Sequence, residues 1–285
     1  MKIVSRLLII TFTSIIVLVY NLSGINTYEE TLNNELNNKI ELPIIMYHAF
    51  LKDTNSHGKF VISPIQFEHD IKYIIEKGYE PILVNDLIAY TKGEKQLPEK
   101  PIMITIDDGY YNNYIYAFPI LKKYNVKAII SPIMKYSELY SQHDENNAYY
   151  SHITWEQGRE MINSNLIEFQ NHTYDLHSMD NGRKGIQKKS EESIENYQKM
   201  LYADLYKAHN LIKENFTFVP CAITFPFGFY SSEADEVIKE LGYKVSFSSK
   251  EGLNLISPAS SLNMLKRYNR PHGKSSAEFF ANILK

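Results

Sequence analysis

The chain has 285 residues, 44% of them hydrophobic and 22% charged, an ordinary balance for a globular protein of one large domain or two small ones. A net charge of -3 offers no basic surface to a polyanion, so nucleic acid is excluded as an expected partner. The one cysteine, Cys221, excludes an intramolecular disulfide; lying in an apolar run with no cation beside it, it reads as a buried structural thiol.

Lys2 and Arg6 precede Leu7–Tyr20, a nearly unbroken apolar stretch, which is the layout of an export signal. The uncharged run continues through Ile25, nearly long enough to span a bilayer, and no convincing small-x-small cleavage site follows. Residues 1–25 are therefore expected to be a transmembrane signal anchor or, alternatively, a cleaved signal peptide. Either leaves the body extracytoplasmic, anchored to the cell membrane or secreted. Residues 26–41 read as a polar linker and 42–285 as the functional domain.

Leu42–Tyr47 predicts a strand ending at His48. Ser63–Pro64 opens a helix that Gly78 stops, Tyr79–Val84 is the next strand, and Asn85 caps a short helix to about Lys92. Pro101–Ile104 is an apolar strand running into Thr105–Ile106–Asp107–Asp108–Gly109. A helix is expected over Asn113–Tyr124, a strand over Val126–Ile133, and a polar, aromatic insertion over 134–153. Thr154-x-x-Gln157 is a capping box for the helix Trp155–Asn163, and the strand Leu166–Gln170 ends at Asn171–His172. A charged loop (180–192), a long helix (about Glu191–Asn215) and a strand (Val219–Phe225) lead to Pro226–Phe227–Gly228. A helix capped by Ser232, strands Tyr243–Ser248 and Leu262–Tyr268, and a helix Ser275–Leu284 complete the chain. This alternation predicts an α/β fold, an irregular TIM-like (β/α) barrel of about eight strands, with an open doubly wound sheet as the alternative.

In a parallel barrel the chemistry gathers at the carboxyl ends of the strands. His48, Asp107–Asp108, His172, Pro226–Gly228 and Arg267–Arg270 all fall there. His172 and His177 are five apart, about 140° on a helix, so they converge only across a loop or an irregular turn. With Asp108 they would make a three-ligand site suited to Zn²⁺ or another divalent transition metal. Asp107 would then stand beside the attacking water as general base, and the reaction would be hydrolysis of an amide or ester.

These residues resemble the polysaccharide deacetylase family, the metal-dependent carbohydrate esterases of NodB homology, over roughly residues 42–285. The family's TFDDG motif stands here as Thr105–Gly109. Its H[ST]xxH motif stands as His172–Thr173 and His177, one residue longer, as in deacetylases acting on poly-N-acetylglucosamine. Met46–Tyr47–His48 resembles the same branch, and the third motif is Thr224–Phe225–Pro226–Phe227–Gly228 without its usual leading Arg. The resemblance implies Asp107 as base, Asp108, His172 and His177 as metal ligands, and the Phe227 N–H as oxyanion donor. It implies the late His272 as proton donor and His48, Tyr47 and Arg270 as substrate-side residues, with Arg267 or Arg270 replacing the missing Arg. The expected activity is removal of N-acetyl groups from a cell-wall or exported polysaccharide containing N-acetylhexosamine. The alternatives are a non-catalytic carbohydrate-binding protein on the same fold and a metal-dependent peptide or ester hydrolase.

Overall fold

The computed structural model describes residues 39–285 except 144 and 259; strands and helices largely alternate through the middle of the chain, with runs of strands toward both ends. The first half runs β1 (Ile40–Leu42), β2 (Ile44–Tyr47), β3 (Ala49–Phe50), β4 (Val61–Ile62), α1 (Pro64–Glu76), β5 (Glu80–Pro81), α2 (Val84–Thr91), β6 (Pro101–Asp108), α3 (Phe118–Tyr124) and β7 (Ala128–Pro132). The second runs α4 (Met134–Ser141), α5 (Trp155–Asn163), β8 (Ile167–Phe169), α6 (Ile194–Phe216), β9 (Ala222–Thr224), α7 (Asp235–Glu240), β10 (Val245–Phe247), β11 (Asn254–Ile256), β12 (Tyr268–Asn269) and α8 (Ser276–Phe280). The expected anchor or signal segment, residues 1–25, and the linker up to residue 38 lie outside the described residues. No helix among the described residues is long and apolar enough to cross a membrane.

The fold is built around β6, whose eight residues are all buried. A parallel strand covered on both faces has no wet side, so its sequence is a continuous apolar run rather than an alternation. β2 pairs parallel on one side, Ile45 opposite Ile104, and β7 on the other, Thr105 opposite Ile129. β12 extends the sheet beyond β2, β8 extends it beyond β7, and β5 pairs with the start of β6. β9 and β10 form a separate parallel pair. Single parallel bridges, Asn171–Ile223 and Phe247–Leu265, link that pair to the chain after β8 and to the chain before β12. The expected α/β class is thus found. Among the described residues a continuous ladder closing a TIM-like barrel is not, because the β9–β10 pair meets its neighbours only at these single bridges.

Ser63 caps α1, its hydroxyl accepting from the Gln66 N–H at 3.0 Å, and Thr154 with Gln157 forms the expected capping box of α5. Helix α6 joins two hydrophobic clusters. Ala208, Ile212 and Phe216 pack with the sheet residues Ile104, Ile130 and Phe169. Tyr197, Leu201 and Leu205 pack with Ile223, Phe225 and Val237. Fully burying side chains of this size contributes about 1.5–3 kcal/mol each.

Several expected elements differ. The strand Tyr79–Val84 pairs only over Glu80–Pro81, and Leu83 rather than Asn85 is the cap of α2, its N–H bonded to Asp86. The insertion 134–153 contains α4, and the helix expected from Asn113 begins with a π-helical turn, Asn113–Ala117. Of Leu262–Tyr268 only the end is ladder, and α8 stops at Phe280. Cys221 is half-buried rather than buried as expected, and what burial it has pushes its pKa up to about 12.

Candidate active site

The carboxyl ends of β2, β6, β8 and β9, with the chain leading into β12, deliver His48, Asp107–Asp108, His172, Phe227 and Arg267 to one cavity of about 700 Å³. At the end of β6 the backbone turns sharply: Asp108 has φ 69° and Gly109 φ 70°. A Cβ at Gly109 would sit 2.5 Å from the Pro132 Cβ, so the turn needs glycine for space as well as for its left-handed φ. It aims two neighbouring carboxylates at different partners.

Asp107 is gripped by Arg267. Nη1 and Nη2 each donate to one carboxylate oxygen at 2.8 Å, and both side chains are buried. Arg267 is itself fixed: Nε donates to the Ser248 carbonyl at 2.9 Å and Nη1 also reaches Thr105 Oγ1 at 3.2 Å. Burial alone would raise the Asp107 pKa, but Arg267 first and His172 next hold it below the usual carboxylate range. Of the two arginines that could replace the missing motif Arg, the fold uses Arg267.

Asp108, His172 and His177 bring three ligand atoms within 4.8 Å of one another. Asp108 Oδ1 faces His177 Nε2 at 3.3 Å and His172 Nε2 at 3.5 Å, yet this buried oxygen has no hydrogen-bond partner. His172 Nδ1 lies 2.8 Å from the Thr224 carbonyl. A carbonyl only accepts, so Nδ1 carries a hydrogen, and Nε2 is the nitrogen left to face Asp108, as a donor when the ring is protonated and as a ligand when it is neutral. With both imidazoles neutral, three acceptors converge on one point and can hold a cation, and two imidazoles with one carboxylate suit Zn²⁺ or a similar divalent metal. The electrostatics agree. Burial opposes charge at both Asp108 and His172, but their mutual attraction keeps the carboxylate pKa low and the His172 pKa above its ordinary value. His177, half-buried and repelled by His172, is pushed down to about 4 and is neutral at pH 7.

His48 lines the same cavity, its Nε2 3.9 Å from Asp107 Oδ2 and its ring 4.6 Å from that of Phe60. Phe227 takes a left-handed φ of 56°, which bends Pro226–Gly228 so that its half-exposed ring lies 4.4 Å from the His177 ring. Three of the residues singled out from sequence are not brought here. Tyr47 is 1% exposed, with its hydroxyl on Asp70 at 3.2 Å. Arg270, also 1% exposed, donates to both Asp70 oxygens at 2.7 and 3.0 Å. These two form a core ion-pair cluster, so neither is available to a substrate. His272 is an exposed residue whose ring packs on His57 at 4.6 Å with Nδ1 against Gln66, and it does not line the cavity.

Sequence reasoning did not single out Phe60, Tyr110, Met179 or Glu251, which also line the cavity. They come from loops, where no periodicity marks a functional face. A second cavity of about 620 Å³ shares His177, Met179 and Phe227 with the first.

The family model described as "Polysaccharide deacetylase" matches residues 94–246. YxkH of Bacillus subtilis (strain 168), whose name carries the same family description, is 28% identical over 243 residues, covering 85% of this chain and 76% of that protein. The poly-beta-1,6-N-acetyl-D-glucosamine N-deacetylase of Staphylococcus aureus (strain MSSA476) is 29% identical over 203 residues, 71% of this chain and 66% of that one. Among solved structures, the Streptococcus pyogenes deacetylase PplD in complex with acetate superposes with a TM-score of 0.70 at 22% identity, covering 87% of this chain and 99% of that one. At that identity the likeness is one of fold.

Proposed function

This chain belongs to the polysaccharide deacetylase family, and on that premise we propose that it hydrolyses N-acetyl groups from N-acetylglucosamine-type units of an exported or cell-wall polysaccharide. The observation that carries the reading is the convergence of Asp108 Oδ1 with the Nε2 atoms of His172 and His177, with the Arg267-held Asp107 beside it in an open cavity. Asp108, His172 and His177 would hold a divalent metal. When bound, such an ion polarises a carbonyl and lowers the pKa of water.

The chain's own residues supply the rest. Asp107 is anionic and locked in orientation by two parallel guanidinium bonds, which leaves its outer lone pairs to take the proton of the attacking water. The Phe227 N–H, on the bent Pro226–Gly228 segment, is assigned to the developing oxyanion. Proton delivery to the departing amine is assigned to His48, because it faces the cavity next to Asp107 and His272 does not; burial keeps its pKa low, so the proton it passes on would be the one that Asp107 takes from water. The adjoining second cavity favours a polymer over a single sugar, and the exposed rings of Phe60 and Phe227 offer apolar platforms for sugar faces. An extracytoplasmic, membrane-anchored or secreted setting is proposed from Lys2, Arg6 and the apolar Leu7–Tyr20 stretch.

Acetate release from N-acetylglucosamine oligomers, with and without a chelator, tests the reading. Chelator-sensitive release is expected, and Asp107→Asn should lower turnover by about 10²–10⁴-fold while metal stays bound. Oligomer binding without acetate release would instead support the non-catalytic carbohydrate-binding alternative.

A further inference from the structure

The ligands His172 and His177 are separated by a segment with no regular secondary structure, and such a segment must satisfy its backbone donors outside itself. Thr173 is in the left-handed region, φ 73°, its N–H bonded to Asn171 Oδ1 at 2.7 Å. The next two N–H groups, of Tyr174 and Asp175, both point at one side chain. Asp204 accepts from Tyr174 N through Oδ1 and from Asp175 N through Oδ2, each at 2.8 Å. The carbonyls are tied on the other side, Thr173 O to the Met134 N–H and Tyr174 O to the Lys135 N–H, each at 3.1 Å. Asp204 is half-buried on α6, between the fully buried Leu201 and Leu205, so its backbone is set by the core.

We infer that Asp204 is a positioning residue for the metal site. Its carboxylate holds two successive amides of the His172–His177 loop, and so turns His177 back toward Asp108 and His172. The inference rests on the proposed metal-binding role of that trio. Five residues of helix would carry His177 to another face, and the chain avoids this by giving the two donors that a helix would use internally to a carboxylate from another element. Charge-assisted bonds to a carboxylate are about twice as strong as neutral ones, and one side chain with two acceptor oxygens fixes both amides together. An asparagine of the same size offers one carbonyl oxygen, and its NH₂ group opposes the second amide.

The test is titration of the full chain with Zn²⁺, and with Co²⁺ read by its visible absorption, for wild type, Asp204→Ala, Asp204→Asn and His177→Ala. Both Asp204 variants are expected to bind Zn²⁺ about tenfold or more weakly and to give an altered Co²⁺ spectrum, as loss of support behind a metal ligand does. The Asn variant preserves side-chain volume and carries the test should the Ala variant fail to fold, with circular dichroism confirming an intact α6. Wild-type affinity and spectrum in folded Asp204→Asn, together with loss in His177→Ala, would overturn the positioning role alone. Wild-type behaviour in His177→Ala would overturn the metal-site reading on which it rests.

Discussion

Asp107 and Asp108 are adjacent, both buried, and directed at different kinds of partner. Asp107 meets a guanidinium that completes it, whereas Asp108 meets two imidazole nitrogens at 3.3 and 3.5 Å, neither making a good hydrogen bond. Removing Arg267 should therefore leave a buried carboxylate uncompensated. Arg267→Met is expected to cost about 3–5 kcal/mol in a urea unfolding experiment. It should also move the acid limb of the pH–rate profile to higher pH, since Arg267 is the chief influence holding the Asp107 pKa down. The choice of proton donor separates two histidines: His48→Ala should cut turnover with metal content retained, and His272→Ala should leave turnover within about twofold. Protons must also leave when the metal enters. His177 is already neutral near pH 7 and His172 is not depressed but raised, so the protons released should come mostly from His172. Calorimetry in buffers of different ionisation enthalpy measures this, and an enthalpy independent of buffer would contradict it. The site's residue types were legible in the sequence because carboxylates and imidazoles after apolar strands are costly to leave unpaired. Tyr47 and Arg270 were misread because a buried ion pair with Asp70, more than 20 residues from Tyr47 and 200 from Arg270, leaves no local trace.

Elements place these residues through their ends. β6 runs as one buried strand, and the Gly109 turn beside Pro132 breaks it at the carboxylate pair. Capping chemistry was readable at α1 and α5, because Ser63 and the Thr154–Gln157 box act within one turn of chain. Strand lengths after β8 were not, because pairing depends on neighbours distant in sequence, and there the partners meet only at single bridges or short ladders. Contact between α5 and α6 yields a sharp expectation. A Cβ on Gly158 would lie 2.1 Å from the Phe216 ring, which is fully buried between the helices and the sheet. Gly158→Ala should destabilise by about 1–3 kcal/mol through overpacking, seen as a lower denaturant midpoint with an unchanged m-value. An unaltered midpoint would mean that α5 can move away from α6 at little cost.

At the scale of the molecule, metal binding and folding are linked. An ion held only by the folded arrangement of Asp108, His172 and His177 adds about 2.7 kcal/mol when its concentration is a hundred times its Kd. Chelation should therefore lower the thermal midpoint, and the drop should depend on pH with a definite sign. His172 has a folded pKa above its unfolded value, so protonation there stabilises the metal-free protein below the unfolded imidazole pKa. That contribution is lost as pH rises through the folded pKa. The carboxylates Asp107 and Asp108, depressed below their usual range, are ionised throughout. The fall in midpoint on chelation is thus expected to be larger at pH 8 than at pH 6, by differential scanning calorimetry; an equal or smaller fall would refute it. By itself the sequence determined the α/β alternation, the buried strand ending in two carboxylates, the metal-ligand residue types and the family resemblance, because hydropathy, capping and residue chemistry act locally. Only the tertiary structure decided that Arg267 rather than Arg270 serves Asp107, that His48 rather than His272 faces the cavity, and that Asp204 supports the loop between the histidines. Each of those choices depends on which strand ends and helix faces meet in space, and side chains brought together across 30 to 160 positions carry no pattern along the chain.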